Sequence, residues 1–94
     1  MAERDGRKRE MKWALAALMS VVPLPEAQDP AIYGDYMMRL GIATSADMNI
    51  LISVLRDEIM AAGRKGTSAD KLIAFHSWAM HVLLYDWPPG KRKG

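Results

Sequence analysis

The chain contains no cysteine. This absence excludes disulfide bonds and the zinc sites that are built on thiolates. With 94 residues, the chain lies near the lower limit at which a single hydrophobic core supports a fold. Its composition, 50% hydrophobic and 26% charged, is that of a globular domain. Stability must therefore come from packing, which a partner can reinforce.

Residues suited to catalysis are also scarce. The two histidines, His76 and His81, are five positions apart, so on a helix they would project about 140° from each other and could not share a metal. We expect His76 to be a hydrogen-bonded residue at the edge of the core and His81 to be exposed. The adjacent acids Asp57 and Glu58 also diverge, and residues 63–66 are too short for a phosphate-binding loop. The sequence therefore predicts no enzymatic activity, no cofactor and no metal site.

Apolar residues recur at helical spacing, and no alternating run of β-branched residues indicates a strand. The sequence predicts an all-α bundle of about four helices, at residues 9–22, 30–40, 45–62 and 68–86. We expect a single helical domain at residues 10–87, flanked by flexible basic tails at 1–9 and 88–94. In the fourth helix, the apolar side predicted to face the core includes Ile73, Trp78, Met80 and Leu84 as well as its main stripe.

Two predicted helix starts share the sequence Thr-Ser-Ala-Asp, at residues 44–47 and 67–70. Each predicts a capping box, in which the threonine oxygen accepts from the third amide and the acid accepts from the amide of the threonine. The sequences that follow diverge at once, so we interpret the two copies as convergence on a good cap. Residues 63–66, Gly-Arg-Lys-Gly, predict a tight basic turn between the third and fourth helices.

The net charge of +2 is unevenly distributed. Residues 1–12 hold five basic and three acidic side chains and residues 88–94 hold three basic ones, so the two ends together carry +5. Residues 13–87 hold five basic and eight acidic side chains, which gives −3. The basic ends permit salt-sensitive binding to phosphates, and a glycine-containing turn between two helices has the outline of a helix–turn–helix. A DNA- or RNA-binding regulator is therefore one interpretation. Its candidate contact residues are Arg64, Lys65, Lys71, Lys91, Arg92 and Lys93.

The interpretation that we prefer is a protein-interaction module. The fourth helix offers few long polar side chains to read base edges, whereas eight methionines and an apolar excess on the third helix favour an adaptable contact surface. The predicted contact residues are Trp13, Met38, Ile50, Val54 and Met60. We expect a small cytoplasmic regulator or inhibitor, like an antiactivator or an accessory protein of a phage or mobile element. Its partner would be another protein, such as a transcription factor, or a second copy of the chain.

A third interpretation is export, because residues 13–22 form an uncharged segment between a basic start and a proline-containing stretch. Residues 1–27 thus have the outline of a secretory signal peptide. The three acids among the first ten residues are atypical of such a peptide, and ten apolar residues are too few to span a bilayer. We therefore expect this segment to be the first helix of the bundle and to provide no membrane span.

Overall fold

The computed structural model describes residues 2–22, 30–85 and 87, and within them every regular element is an α-helix. The helices are α1 (Ala2–Val21), α2 (Pro30–Leu40), α3 (Ser45–Lys65) and α4 (Asp70–Tyr85). The predicted all-α bundle is confirmed. The predicted tail at 88–94 lies outside the described residues.

Helix α3 is the centre of the bundle. Helices α1 and α4 both pack against it, and α2 packs against α1. The apolar stripes of α1 and α3 point inward. Their buried residues are Met11, Leu15, Leu18, Met48, Leu51, Ile52 and Leu55. An aromatic cluster closes the remaining side of the core, where the ring of Tyr36 on α2 lies 5.9 Å from that of Phe75 and 5.4 Å from that of Trp78 on α4.

The first Thr-Ser-Ala-Asp copy forms the predicted capping box at the start of α3. The amide of Asp47 donates to Thr44 Oγ1 at 3.2 Å, and Asp47 Oδ2 accepts from the Thr44 amide at 3.2 Å. The same carboxylate oxygen also accepts from the amide of Ala43 at 2.9 Å. The backbone N–H groups of Ala43, Thr44 and Asp47, which would otherwise lack partners at this helix end, are thereby satisfied.

The second copy does not form the predicted box, because the end of α3 uses its threonine. Gly66 adopts a left-handed conformation with φ 72°. The amide of Thr67 donates to the carbonyl of Ala62 at 3.0 Å, and the Thr67 hydroxyl donates to the same oxygen. This is a Schellman closure of α3. The amide of Asp70 instead donates to Ser68 Oγ at 3.4 Å, and α4 begins at Asp70.

The start of α1 and the end of α3 differ from prediction by three residues or more. Helix α1 begins at Ala2, so residues 2–9, predicted as a tail, continue the helix. Residues 2–9 are mostly charged and show no apolar periodicity, so the sequence does not indicate a helix there. In the structure, Arg7 and Lys8 form ion pairs with α3, which attach this part of α1 to the bundle. Helix α3 runs on to Lys65 rather than residue 62, and the turn that was predicted at residues 63–66 begins only at Gly66.

No single helix in the described ranges is long and apolar enough to cross a membrane. The pair Gly34–Leu40 and Ser45–Lys65 meets that length and composition criterion only when joined, and it is bent by 79°.

Candidate interaction surface

One side of α1 faces outward with no charged residue over its second half. Residues 13–22 contain no Asp, Glu, Lys or Arg. The outward residues of this segment, which we call the α1 face, are Trp13, Ala16, Ala17, Ser20 and Val21. Trp13 is 67% exposed and Val21 is 68% exposed. Trp13, one of the predicted contact residues, thus points away from the core on the same side as these small residues. An indole and an isopropyl group are thus presented to solvent on a surface with no charge to solvate it.

A shallow concavity adjoins the α1 face where α1 meets α2. Its volume is about 360 Å³, and it is lined by Ala14, Ala17, Leu18, Val21 and Arg39. Arg39 Nε donates to Asp35 Oδ2 at 2.9 Å within α2. This ion pair restrains the guanidinium at the rim of an otherwise apolar depression.

Helix α4 presents a second uncharged outward surface. Residues 72–85 contain no Asp, Glu, Lys or Arg. The α4 face consists of Ile73, Ser77, Met80, His81, Leu84 and Tyr85, of which Met80 is partly buried and the others are exposed. Leu84 is 62% exposed and Tyr85 is 73% exposed. The rings of His81 and Tyr85 lie 5.2 Å apart on this face, and His81 is exposed as predicted.

The prediction that Ile73 and Leu84 face the core is wrong. Helix α4 packs closely against α3, and Phe75, Trp78, Ala79 and Val82 fill that contact. No other described helix covers the opposite side of α4. The available signal was the absence of charge over residues 72–85, because a helix with one close neighbour cannot bury two sides.

The predicted contact residues Met38 and Met60 are exposed, but they differ from Trp13 in their surroundings. Met38 lies on α2 between the ion-paired Asp35 and Arg39. Met60 lies on α3 one turn from the exposed Arg56. Single apolar residues on charged surfaces are common and imply no partner. The structure therefore does not unite Met38, Met60 and Trp13 into one surface.

The other two predicted contact residues lie inward. Val54 is 3% exposed and belongs to the core, and Ile50 is partly buried and packs against that core. Their assignment to an exposed stripe is wrong. Helix α3 has apolar residues on two sides because it is central, with α1 on one side and α4 on another.

A groove separates α1 from α4. Its volume is about 420 Å³, its walls include Leu15, Met19 and Leu72, and Lys12 and Lys71 are among its polar residues. Lys71 Nζ donates to the carbonyl oxygen of Met19 at 2.5 Å, which joins the start of α4 to the C-terminal turn of α1. A cation at this position satisfies a carbonyl of that helix end and interacts favourably with its dipole.

Three basic residues of α1 are paired with acids of α3. Arg7 contacts Asp47 at 2.5 Å, Lys8 contacts Asp57 at 2.9 Å, and Lys12 contacts Glu58 at 3.3 Å. These pairs align α1 along α3 and neutralise cations that a phosphate backbone would otherwise attract.

The pKa of Asp47 is held below its ordinary value of 3.8. The hydrogen bond from the amide of Ala43 is the largest cause, and the Arg7 guanidinium and the Thr44 amide also lower the pKa, whereas burial opposes them. Hydrogen bonds to the ionised form favour it. The carboxylate that caps α3 is thus the same one that anchors α1.

The residues proposed for nucleic-acid binding are not assembled into one patch within the described part of the chain. Arg64 and Lys65 are exposed in the last turn of α3, whereas Lys71 is partly buried and bonded to Met19. The remaining three, Lys91, Arg92 and Lys93, lie outside the described residues.

The histidines do not form a metal site with other side chains in the described ranges, where no group of three or more His, Asp or Glu residues could hold an ion. His76 is partly buried at the edge of the core, as predicted. Its Nε2 atom, however, is buried without a hydrogen-bond partner among the described residues, so the predicted hydrogen bond is absent at that nitrogen.

The chain matches no protein-family model, no curated protein sequence and no solved structure. The features of the described residues that bear on function include the two uncharged faces and the charges around them.

Proposed function

We propose that this chain is a small helical interaction module that docks on a protein partner through the α4 face. The observation that carries the proposal is the run of uncharged residues 72–85, with Ile73, Leu84 and Tyr85 exposed. From Ile73 to Tyr85 this surface extends about 18 Å along the helix. An apolar helix or groove on the partner would remove it from water, which is favourable in proportion to the apolar area buried. A regulator or inhibitor that acts by occupying its target fits this mode of binding.

The test compares full-length tagged chains as baits in lysate of the native host, with nuclease present. The variant Ile73→Glu/Leu84→Glu places two charges on the α4 face. The matched control Met38→Glu/Met60→Glu places two charges on α2 and α3, at positions that are at least as exposed as those of the α4 variant. We expect one protein to be retained in stoichiometric amount by the wild type and by the control, and to be lost with the α4 variant.

Circular dichroism of both variants checks that the helix content is unchanged. Retention that is identical for all three baits would contradict docking through the α4 face. Retention of nucleic acid, with all co-purifying proteins lost on nuclease treatment, would contradict the proposed function itself.

A further inference from the structure

We propose that the groove between α1 and α4 binds a small amphiphile, which combines a short hydrocarbon chain with an anionic head group. The groove has a volume of about 420 Å³, which is within the range of ligand sites in proteins. It is separate from the α4 face, because neither Ile73 nor Leu84 lines it. The proposal therefore goes beyond the proposed function, and the two can fail separately.

The apolar lining of the groove can take a hydrocarbon chain. Its large apolar residues are Leu15 and Met19 of α1 and Leu72 of α4, and all three are buried or partly buried. Ala16, which is exposed beside them, occupies little of the space. The lining on α1 extends over residues 12–20, which is about 12 Å of helix and about the length of an extended chain of eight to ten carbons. Placing such a chain here removes apolar surface from water on both sides of the contact.

Lys71 favours a negatively charged head group. Its ammonium donates to the carbonyl oxygen of Met19 at 2.5 Å, which holds it at the groove. An ammonium has three N–H donors, so two are left for a ligand. Ser68 also lines the groove, and its Oγ accepts from the Asp70 amide at 3.4 Å, which leaves the hydroxyl proton to be donated. An anionic head group accepts from both side chains, and hydrogen bonds between ionised groups are stronger than neutral ones.

The acid that lines the groove does not cancel the charge of Lys71. Glu58 Oε2 lies 3.3 Å from Lys12 Nζ, so these two side chains neutralise each other. Two lysines and one glutamate line the groove, which gives a net charge of +1. A cationic head group would be repelled by Lys71, and a neutral one would gain no attraction from it. The lining is therefore complementary to an anion.

The bond between Lys71 and Met19 also selects the size of the occupant. It joins α4 to α1 across the groove. A helix of a partner protein, about 10–12 Å in diameter, would have to break this bond to enter. A single hydrocarbon chain is narrow enough to lie along the apolar lining with the bond intact. A small amphiphile is therefore the occupant that we infer.

The test is a titration of the isotope-labelled full chain with octanoate, followed by NMR through the backbone amide shifts. We expect saturable shifts at Ala16, Met19, Lys71 and Leu72. The dissociation constant should be on the order of 0.1–1 mM, because a ligand of this size in an open groove makes few contacts. Two ligands with the same chain length are the controls, 1-octanol without a charge and octylammonium with the opposite charge. Each should bind at least tenfold more weakly than octanoate.

Octyl phosphate distinguishes two sources of the anionic head. Tighter binding of octanoate would identify a carboxylate, as in a fatty acid, and tighter binding of octyl phosphate would identify a phosphate monoester. Either order supports an anionic amphiphile, provided that both bind more tightly than 1-octanol.

Two neighbouring alanines supply matched variants. Ala16 and Ala17 are both exposed on α1, but Ala16 lines this groove and Ala17 lines the concavity between α1 and α2. Ala16→Phe should fill the groove and weaken octanoate binding at least tenfold, whereas Ala17→Phe should bind like the wild type. Lys71→Gln should reduce the affinity for octanoate to that for 1-octanol, and Lys71→Arg should restore most of it. Circular dichroism confirms that each variant is folded, and Lys71→Gln tests the site if Ala16→Phe does not fold.

Three results would overturn the inference. One is that octanoate produces no saturable shifts below the concentration at which it forms micelles. Another is that 1-octanol binds as tightly as octanoate, and the third is that Ala16→Phe and Ala17→Phe bind octanoate equally well. None of these results would affect partner capture through the α4 face, which Ile73→Glu/Leu84→Glu tests separately.

Discussion

At the scale of single residues, Asp47 joins two parts of the fold. Its carboxylate accepts from the amides of Ala43 and Thr44 and from the Arg7 guanidinium. We predict that Asp47→Ala lowers the free energy of unfolding at neutral pH by about 1–2 kcal/mol, because both the cap and the ion pair are lost. Asp70→Ala is the matched control, since Asp70 occupies the same place in Thr-Ser-Ala-Asp without the box. It should change stability by less than about 0.5 kcal/mol, the usual effect of a surface substitution. Urea titration measures both.

The difference in free energy of unfolding between the wild type and Asp47→Ala should depend on pH, because the pKa of Asp47 is lowered in the folded state. A carboxyl group whose pKa is lower in the folded state adds stability above its unfolded pKa of about 3.9. That contribution is lost as the pH falls through the folded value. The wild type and Asp47→Ala should therefore converge in stability as the pH falls below about 4. A difference that persists undiminished at about pH 2.5 would contradict the assigned role of the carboxylate.

The residue scale also shows which features a sequence can predict. The box at Thr44 is local, because its hydrogen bonds join residues no more than four positions apart. The sequence therefore predicts it correctly where no other element uses the threonine. The identical residues from Thr67 onward behave differently because Gly66 places Thr67 in the closure of α3. The outward direction of Trp13 follows from helical spacing, whereas the exposure of Ile73 depends on how many helices surround α4, which spacing does not encode.

At the scale of helices, two glycines near the end of α3 have opposite roles. Gly63 lies within the helix, and a Cβ atom there would meet nothing within 4 Å. Gly66 has φ 72°, which side-chain-bearing residues rarely adopt. We predict that Gly63→Ala raises the free energy of unfolding by about 0.5–1 kcal/mol through helix propensity. Gly66→Ala should lower it by about 1 kcal/mol through strain. Thermal unfolding would show opposite shifts, and shifts of the same sign would contradict the observed helix end.

The bounds of the helices were predictable only where apolar periodicity marks them. The start of α1 was missed because residues 2–9 are tied to the bundle through Arg7 and Lys8, whose partners are about 40 or more residues away in sequence. Pairings of this kind depend on the packing of α1 on α3. The central position of α3 likewise depends on how the other helices pack against it. This position makes Val54 a core residue rather than a surface residue.

At the scale of the whole molecule, the charges and the docking faces are separated. The cations Arg7, Lys8 and Lys12 on α1 pair with acids of α3, while the α1 and α4 faces carry no charge. Binding through such faces depends on removing apolar surface from water, and added salt weakens that driving force little. Binding led by basic tails depends on counterion release and falls steeply with salt.

We therefore predict that the amount of partner captured through the α4 face changes less than about threefold between 50 and 500 mM NaCl, because that face holds no charged residue. Quantitative pull-down at the two salt concentrations measures it. A DNA duplex titrated under the same conditions provides the comparison, since contacts to several phosphates would weaken by orders of magnitude over this range. Neutralising Lys91, Arg92 and Lys93 should leave the capture unchanged. Capture that weakens tenfold or more in high salt would place charged residues, rather than the α4 face, at the contact with the partner.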